Sequence, residues 1–307
     1  MSEKQIIFMG TPLIAAKYLS SLIDNKFNVV SVFTQQPRKR NRGMKVRSSP
    51  VHELANQNNI KVNFPTRLDE DAFRLIKSYK PDLIIVMAYG LLIPTKILNF
   101  PQYGCINIHV SLLPRWRGAS PIEHTLLNGD SETGITIIKL IEKLDAGPIL
   151  VQKKIPVAEN INKDDLSDKL TQLGSDLLID ILPKFFLGNL VMQDQNHNEA
   201  TYAQKINSQM RKINFNLSAR EVLNQIRAYA TKPGAWFFYN NDRIKIISAS
   251  IQNNKGNPST IISKRFELGC LDGSILPSYL QREGKKIMYI EDFLRGFSFT
   301  VGDSLNA

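Results

Sequence analysis

Two polar side chains stand two residues apart in INIHVSLLPRWRG, residues 106–118. If 104–110 is a strand, successive side chains alternate between its faces. Ile106, Ile108 and Val110 then point into a core, and Asn107 and His109 share the opposite face. Asn donates hydrogen bonds without titrating, which suits the oxyanion formed when a carbonyl carbon turns tetrahedral. His moves protons near neutral pH. No nucleophile accompanies the pair, so the fitting chemistry is acyl transfer to an external nucleophile, with no covalent enzyme intermediate. Such a His needs an orienting partner, most often a carboxylate. Asp145 is the candidate, in the loop KLDAGPI whose turn Gly147 and Pro148 shape. The pattern N-x-H is short, and a turn-capping Asn beside a buried, hydrogen-bonded His fits it equally well.

Strands are expected at 6–10, 28–33, 82–88 and 104–110, with helical spacing at 13–23, from Pro50 onward and at 69–79. DLIIVMA is continuously apolar, as a central parallel strand should be. This order predicts an open, mostly parallel, Rossmann-like α/β sheet. Asn107 and His109 then fall at the carboxyl end of a strand, where such sheets bind ligands. Two later strands are expected at 134–140 and 149–157, the second at an edge, and a long helix at 164–188. MGTPLIAAK has one Gly and neither nucleotide-loop spacing, so Gly10 and Pro12 are read as shaping a turn.

The character of the chain then changes, which divides it into a catalytic domain at 1–188, a polar linker at 189–206 and a second domain at 207–307. In the second domain short strands are expected at 235–239, 243–251, 259–264 and 286–294, with turn residues between them. One helix, 218–229, opens on a capping box formed by Ser218 and Glu221. A small OB-like β-barrel is the natural reading, with Trp236 in its core.

The net charge of +11 points to a polyanionic partner. Residues 37–47 alone carry six Lys/Arg and no acid, though charge runs are most often solvated loops. Lys205, Arg211, Lys212, Arg227 and Lys232 form a diffuse phosphate track at most. Arg115 and Arg117, beside Trp116, are either nucleic-acid contacts or a surface pair. Two cysteines, Cys105 and Cys270, exclude a disulfide framework, and no His spacing suggests a metal. No apolar run reaches the roughly 18–20 residues of a membrane span. A cytoplasmic monomer without a leader is expected.

INIHVSLLPRWRGASPI, followed by GITIIKL and KLDAGPIL, resembles the formyltransferase family that uses 10-formyltetrahydrofolate. IIFMGTP, FTQQP…RG…SPV, AYGLLIP, KPGAW and EGKKIMYIEDFLRG extend the likeness over the whole chain. The resemblance implies that Asn107, His109 and Asp145 are the catalytic trio. It implies that Ser111, Leu112, Leu113 and Pro114 contact the folate, which serves as formyl donor, and that the acceptor is the free α-amine of initiator methionyl-tRNA. The basic insertion at 36–48 would grip the acceptor end through Arg38, Lys39, Arg40, Arg42 and Lys45, with Arg42 reading its unpaired first position. Lys205, in the linker, would add a contact. Two departures stand out: Val110 where the family usually has Gly, which bears on the local backbone, and Ile14 where it often has Phe. An amino-sugar acceptor needs neither the basic insertion nor a basic barrel. A binding-only role leaves the intact trio without a use.

Overall fold

The computed structural model describes residues 4–40 and 45–305. The chain forms two compact units, and the division is not a single cut. The first gathers the chain up to Gly118 with Thr133–Ile155 and Ser167–Tyr202; the second gathers Ala119–Glu132, Pro156–Leu166 and the chain from Ala203 onward.

The first unit is built on a seven-stranded sheet in the order Ile149–Pro156, Glu132–Lys139, Cys105–His109, Leu83–Met87, Ile6–Gly10, Val29–Phe33, Lys61–Asn63. The pairings from Cys105–His109 to Lys61–Asn63 are parallel, and Glu132–Lys139 runs antiparallel to Cys105–His109. This is the Rossmann-like sheet expected. Ile6–Gly10 and Leu83–Met87 are buried along their whole length, which is why both read as unbroken apolar runs. The chain leaves Ile6–Gly10 toward one edge and returns on its other side at Leu83–Met87. The resulting crevice lies at the carboxyl ends of these strands. Gly10 belongs to that crossing for a packing reason: a Cβ there would lie 2.7 Å from the Ala15 Cβ and 2.9 Å from the Met87 carbonyl.

Helices start where the sequence supplies caps. Ser49 accepts from the His52 N–H ahead of Pro50–Gln57, and Asp69 accepts from the Ala72 N–H ahead of Glu70–Ser78. The basic insertion is a two-stranded antiparallel ribbon, Arg38–Arg40 against Lys45–Arg47.

The second unit holds an antiparallel sheet in the order Ala235–Tyr239, Asp242–Gln252, Gly273–Arg282, Leu268–Cys270, with Met288–Tyr289 also on Gly273–Arg282. It is curled into the OB-like barrel, and Trp236 is buried in it. Ser218 and Glu221 close the capping box of the helix Ala219–Tyr229. Two expected strands differ. Residues 259–264 contribute only single bridges, Thr260 to Ser304 and Ile261 to Leu268. Of 286–294, only Met288–Tyr289 is strand; Ile290–Arg295 is a helix. Glu291 and Asp292 stand in its first turn and Arg295 in its last, as the helix dipole favours, while Phe293 packs against Phe266 and Phe297.

Candidate active site

Asn107 and His109 close the strand Cys105–His109, and Asp145 lies in the loop between Glu132–Lys139 and Ile149–Pro156. The fold brings the three together. His109 Nδ1 lies 3.7 Å from Asp145 Oδ2, and Asn107 Nδ2 donates to Asp145 Oδ1 at 3.4 Å. The Gly118 N–H donates to Asp145 Oδ2 at 2.8 Å. His109 is 5% exposed and Asp145 8%. His109 Nε2 is 2.8 Å from the Trp116 carbonyl, which can only accept. Nε2 therefore carries a proton, and in the neutral ring Nδ1 turns its lone pair toward the carboxylate side.

The backbone around this pair is unusual. Asp145 has φ 46° and Trp116 has φ 63°, both left-handed and neither a glycine. Such angles cost on the order of 1–3 kcal/mol each and persist where the surroundings over-determine them. The Asp145 loop is packed tightly enough to do so. The Lys139 N–H donates to the Pro148 carbonyl at 2.9 Å, and a Cβ at Gly147 would sit 1.8 Å from the Lys139 carbonyl. Gln195 Nε2 donates to the carbonyls of Asp145 and Gly147 at 2.9 and 2.7 Å.

Gln195 and Arg117 were not legible as site residues. Arg117 is neither a nucleic-acid contact nor half of a surface pair: it is 1% exposed, and its Nε and Nη2 donate to Gln195 Oε1 at 3.2 and 2.7 Å. Arg115 stacks on the Trp116 ring, 4.5 Å from its centroid.

A cavity of about 150 Å³ opens beside Asn107 and Asp145, walled by Val86, Leu91, Ile93, Leu140 and Leu144. The side chains of Ser111, Leu112, Leu113 and Pro114 are not among its walls. Their loop turns its polar groups into the protein. Ser111 Oγ donates to the Arg115 carbonyl at 2.6 Å, Thr136 Oγ1 bonds both the Ser111 carbonyl and the Leu113 N–H, and Gln152 Nε2 donates to the Leu113 carbonyl. Val110 lies outside the left-handed region, so Val takes this position without strain. Ile14 is half-buried at the start of the helix Leu13–Asp24.

In the basic ribbon Arg38 stands opposite Arg47, Lys39 opposite Val46 and Arg40 opposite Lys45. Arg38 and Arg47 are exposed, and Arg42 lies outside the described residues. Lys205 is exposed in the second unit. Arg227 leaves the suggested phosphate track: it is buried, and its Nη1 donates to the carbonyls of Ala158 and Glu159 at 3.2 Å. Burial pushes the Cys105 and Cys270 thiols up to about 12, which removes both as nucleophiles near neutral pH. Among the described residues no group of His, Cys, Asp and Glu is placed to hold a metal, and no helix is long and apolar enough to cross a membrane.

Residues 4–182 match the formyl transferase family model, and 205–298 match that of the formyl transferase C-terminal domain. The chain belongs to the formyl transferase family. Its relatives in that family include the methionyl-tRNA formyltransferase of Ehrlichia canis, 43% identical over 301 residues, covering 96% of this chain and 97% of the relative. The methionyl-tRNA formyltransferase of Thermotoga maritima is 39% identical and covers 92% of each chain. Among solved formyl transferases, the N-formyltransferase of Helicobacter canadensis, in complex with folinic acid and dTDP-3-aminofucose, superposes with a TM-score of 0.68. It covers 91% of this chain and 99% of its own at 23% identity, a likeness of fold. In this family member, then, the buried His109 and Asp145 and the half-buried Asn107 stand beside an apolar cavity at the carboxyl edge of the sheet.

Proposed function

We propose that the protein transfers the formyl group of 10-formyltetrahydrofolate to the free α-amine of initiator methionyl-tRNA. The products are N-formylmethionyl-tRNA and tetrahydrofolate. The observation that carries this reading is the placement of Asn107, His109 and Asp145 together beside an apolar cavity, in a chain that aligns end to end with methionyl-tRNA formyltransferases.

The cavity suits a flat heterocycle: apolar walls with a few polar groups at one side. Asn107 Nδ2 donates to the oxygen that gains charge as the formyl carbon turns tetrahedral. One such donor is worth about 3 kcal/mol of barrier. The attacking amine loses a proton as it becomes an amide, and His109 Nδ1 and the Asp145 carboxylate, 3.7 Å apart, are the bases of the site. Asp145 also stabilises the imidazolium when His109 takes the proton. Ser111 to Pro114 form the loop that follows His109 and contact the folate along its flank, their polar groups being bonded within the protein.

The ribbon supports a tRNA acceptor. Like charges directly opposite each other across two strands repel, and Arg38–Arg47 is such a pair. Phosphates lying along the ribbon relieve that repulsion. Arg38, Lys39, Arg40, Arg42 and Lys45 grip the acceptor end, with Arg42 at its unpaired first position, and Lys205 adds a phosphate contact. One chain holds every group the reaction needs, so it acts as a monomer, in the cytoplasm where tRNA is charged.

The test is formylation by the purified protein with 10-formyltetrahydrofolate, offered methionyl-tRNA, uncharged tRNA, free methionine and a nucleotide-linked amino sugar in parallel. Transfer to methionyl-tRNA alone supports the reading. Transfer to the amino sugar alone overturns the acceptor. Tight tRNA binding with no transfer overturns the catalytic assignment.

A further inference from the structure

We propose that residues 193–201 are a strap that sets the active-site geometry, and that Gln195, Arg117 and Thr201 are positioning residues for His109 and Asp145. The proposal rests on the reading that His109 and Asp145 carry the transfer.

The strap is tied at both ends to the two loops that meet His109. At its start, Gln193 and Ile149 exchange backbone hydrogen bonds of 2.8 and 2.9 Å, directly after the loop that holds Asp145. At its end, the Thr201 carbonyl accepts from the Arg117 N–H at 2.8 Å, and the Thr201 N–H donates to the Pro114 carbonyl at 3.3 Å. Thr201 Oγ1 accepts from the Trp116 N–H at 2.9 Å. The carbonyl of that same Trp116 accepts from His109 Nε2. A chain of hydrogen bonds therefore runs from Thr201 through Trp116 to the catalytic ring.

Between these ends one side chain turns inward. Gln195 is 6% exposed, while Asp194 and Asn196 on either side are exposed. Its amide is fully used. Both N–H groups go to the carbonyls of Asp145 and Gly147, and its oxygen takes two bonds from Arg117. Arg117 also donates to His197 Nδ1 at 2.9 Å, so its side-chain partners among the described residues are neutral. A guanidinium buried on neutral acceptors is costly to keep and gives little stability. What it does is fix the amide of Gln195, which fixes the Asp145 loop.

The strap thus holds the two left-handed residues, Asp145 and Trp116, that meet the His109 ring at its two nitrogens. Strained backbone of this kind persists only under such over-determination. Transfer rates are sensitive to it: a displacement of about 1 Å at a reacting group costs roughly 100-fold.

The decisive variant is Gln195→Glu. A carboxylate still accepts from Arg117, now as an ion pair, but it has no N–H for the Asp145 and Gly147 carbonyls. The expected result is a folded protein with a lowered thermal midpoint and a kcat roughly 10- to 100-fold lower, with KM for both substrates within about twofold. Thr201→Val, which removes the Trp116 N–H acceptor at nearly constant volume, is expected to shift the His109 ring signals in a ¹⁵N-histidine NMR spectrum. Asn56→Ala, on an exposed helix surface, is the control that leaves them in place. A folded Gln195→Glu protein with kcat within about twofold of wild type, together with unmoved His109 signals in Thr201→Val, overturns the proposal. If the wild-type protein transfers no formyl group at all, the transfer reading fails by itself, and the NMR comparison still decides whether the strap holds His109.

Discussion

The Asp145 carboxylate is buried and meets two N–H donors and the His109 ring, whereas Arg38 and Arg47 of the basic ribbon stand opposite each other and exposed. The first charge works through position. Its partners lie at fixed distances in a site where water and salt screen little, and its value lies in the atoms it orients. The ribbon charges work through long-range attraction. They are screened within about 8 Å at physiological salt, they repel one another, and their value appears when a polyanion displaces their counterions. On the proposed reading, one chain uses the same elementary force for chemistry in one place and for capture in another, and burial decides which.

The largest expected effect tests the buried side. Asn107→Ala should lower kcat by roughly 10²- to 10³-fold, the loss of one oxyanion donor, with KM for methionyl-tRNA unchanged. Steady-state kinetics at low and high salt check it. A loss confined to KM, or one that grows with salt, would place Asn107 with the capture surface instead. Gly147→Ala should come next. The added Cβ collides with the Lys139 carbonyl, so the loop must shift, at about 1–3 kcal/mol of stability by thermal unfolding and with a reduced kcat. A variant with wild-type stability and kcat would show that the tightness of this loop is not what holds Asp145.

On the exposed side, Arg47→Ala should leave kcat alone and raise KM for methionyl-tRNA. The slope of log KM against log salt should fall by about 1, the signature of one lost phosphate contact. A salt-independent rise would mean that Arg47 holds the ribbon's shape rather than phosphate.

The smallest effect concerns carboxylates of the second unit that are solvent-accessible yet hydrogen-bonded. Tyr239 and Thr300 donate to Asp303, and Ser218 donates to Glu221; each carboxyl is held below its ordinary value by those bonds. A lowered folded-state value means stability that is present above the ordinary carboxylate range and is lost as pH falls through the folded value. Thermal midpoints should therefore drop on acidification below about pH 4, and Asp303→Asn should flatten that dependence. An unchanged acid profile in Asp303→Asn would assign the acid sensitivity elsewhere.

Much of the site was legible because it obeys local rules. Strand alternation alone put Asn107 and His109 on one face, and the Gly-Pro turn made the Asp145 loop conspicuous. The ribbon was legible as charge but not as strands. Six basic residues in eleven argue for a solvated loop, and only the pairing of Arg38 with Arg47 shows otherwise. The helix Ile290–Arg295 was hidden under strand-like residues, KIMYI, and was decided by Phe293 reaching the aromatic cluster of Phe266 and Phe297. Arg227 looked like a surface cation because a guanidinium is seldom buried; its partners are carbonyls some 69 positions away.

By itself the sequence determined the order of strands and helices, the crevice at the carboxyl edge of the sheet, the pairing of Asn107 with His109 at a strand end and the basic character of the ribbon. All of these follow from periodicity, caps and composition, which act over a few residues. Only the tertiary structure decided that a polar segment after the long helix returns to bond the Asp145 loop and Arg117. Gln195 meets Asp145 across 50 positions and Arg117 across 78. A hydrogen bond between such distant residues leaves no period in the sequence, because its partners become neighbours only when the sheet has brought their loops together.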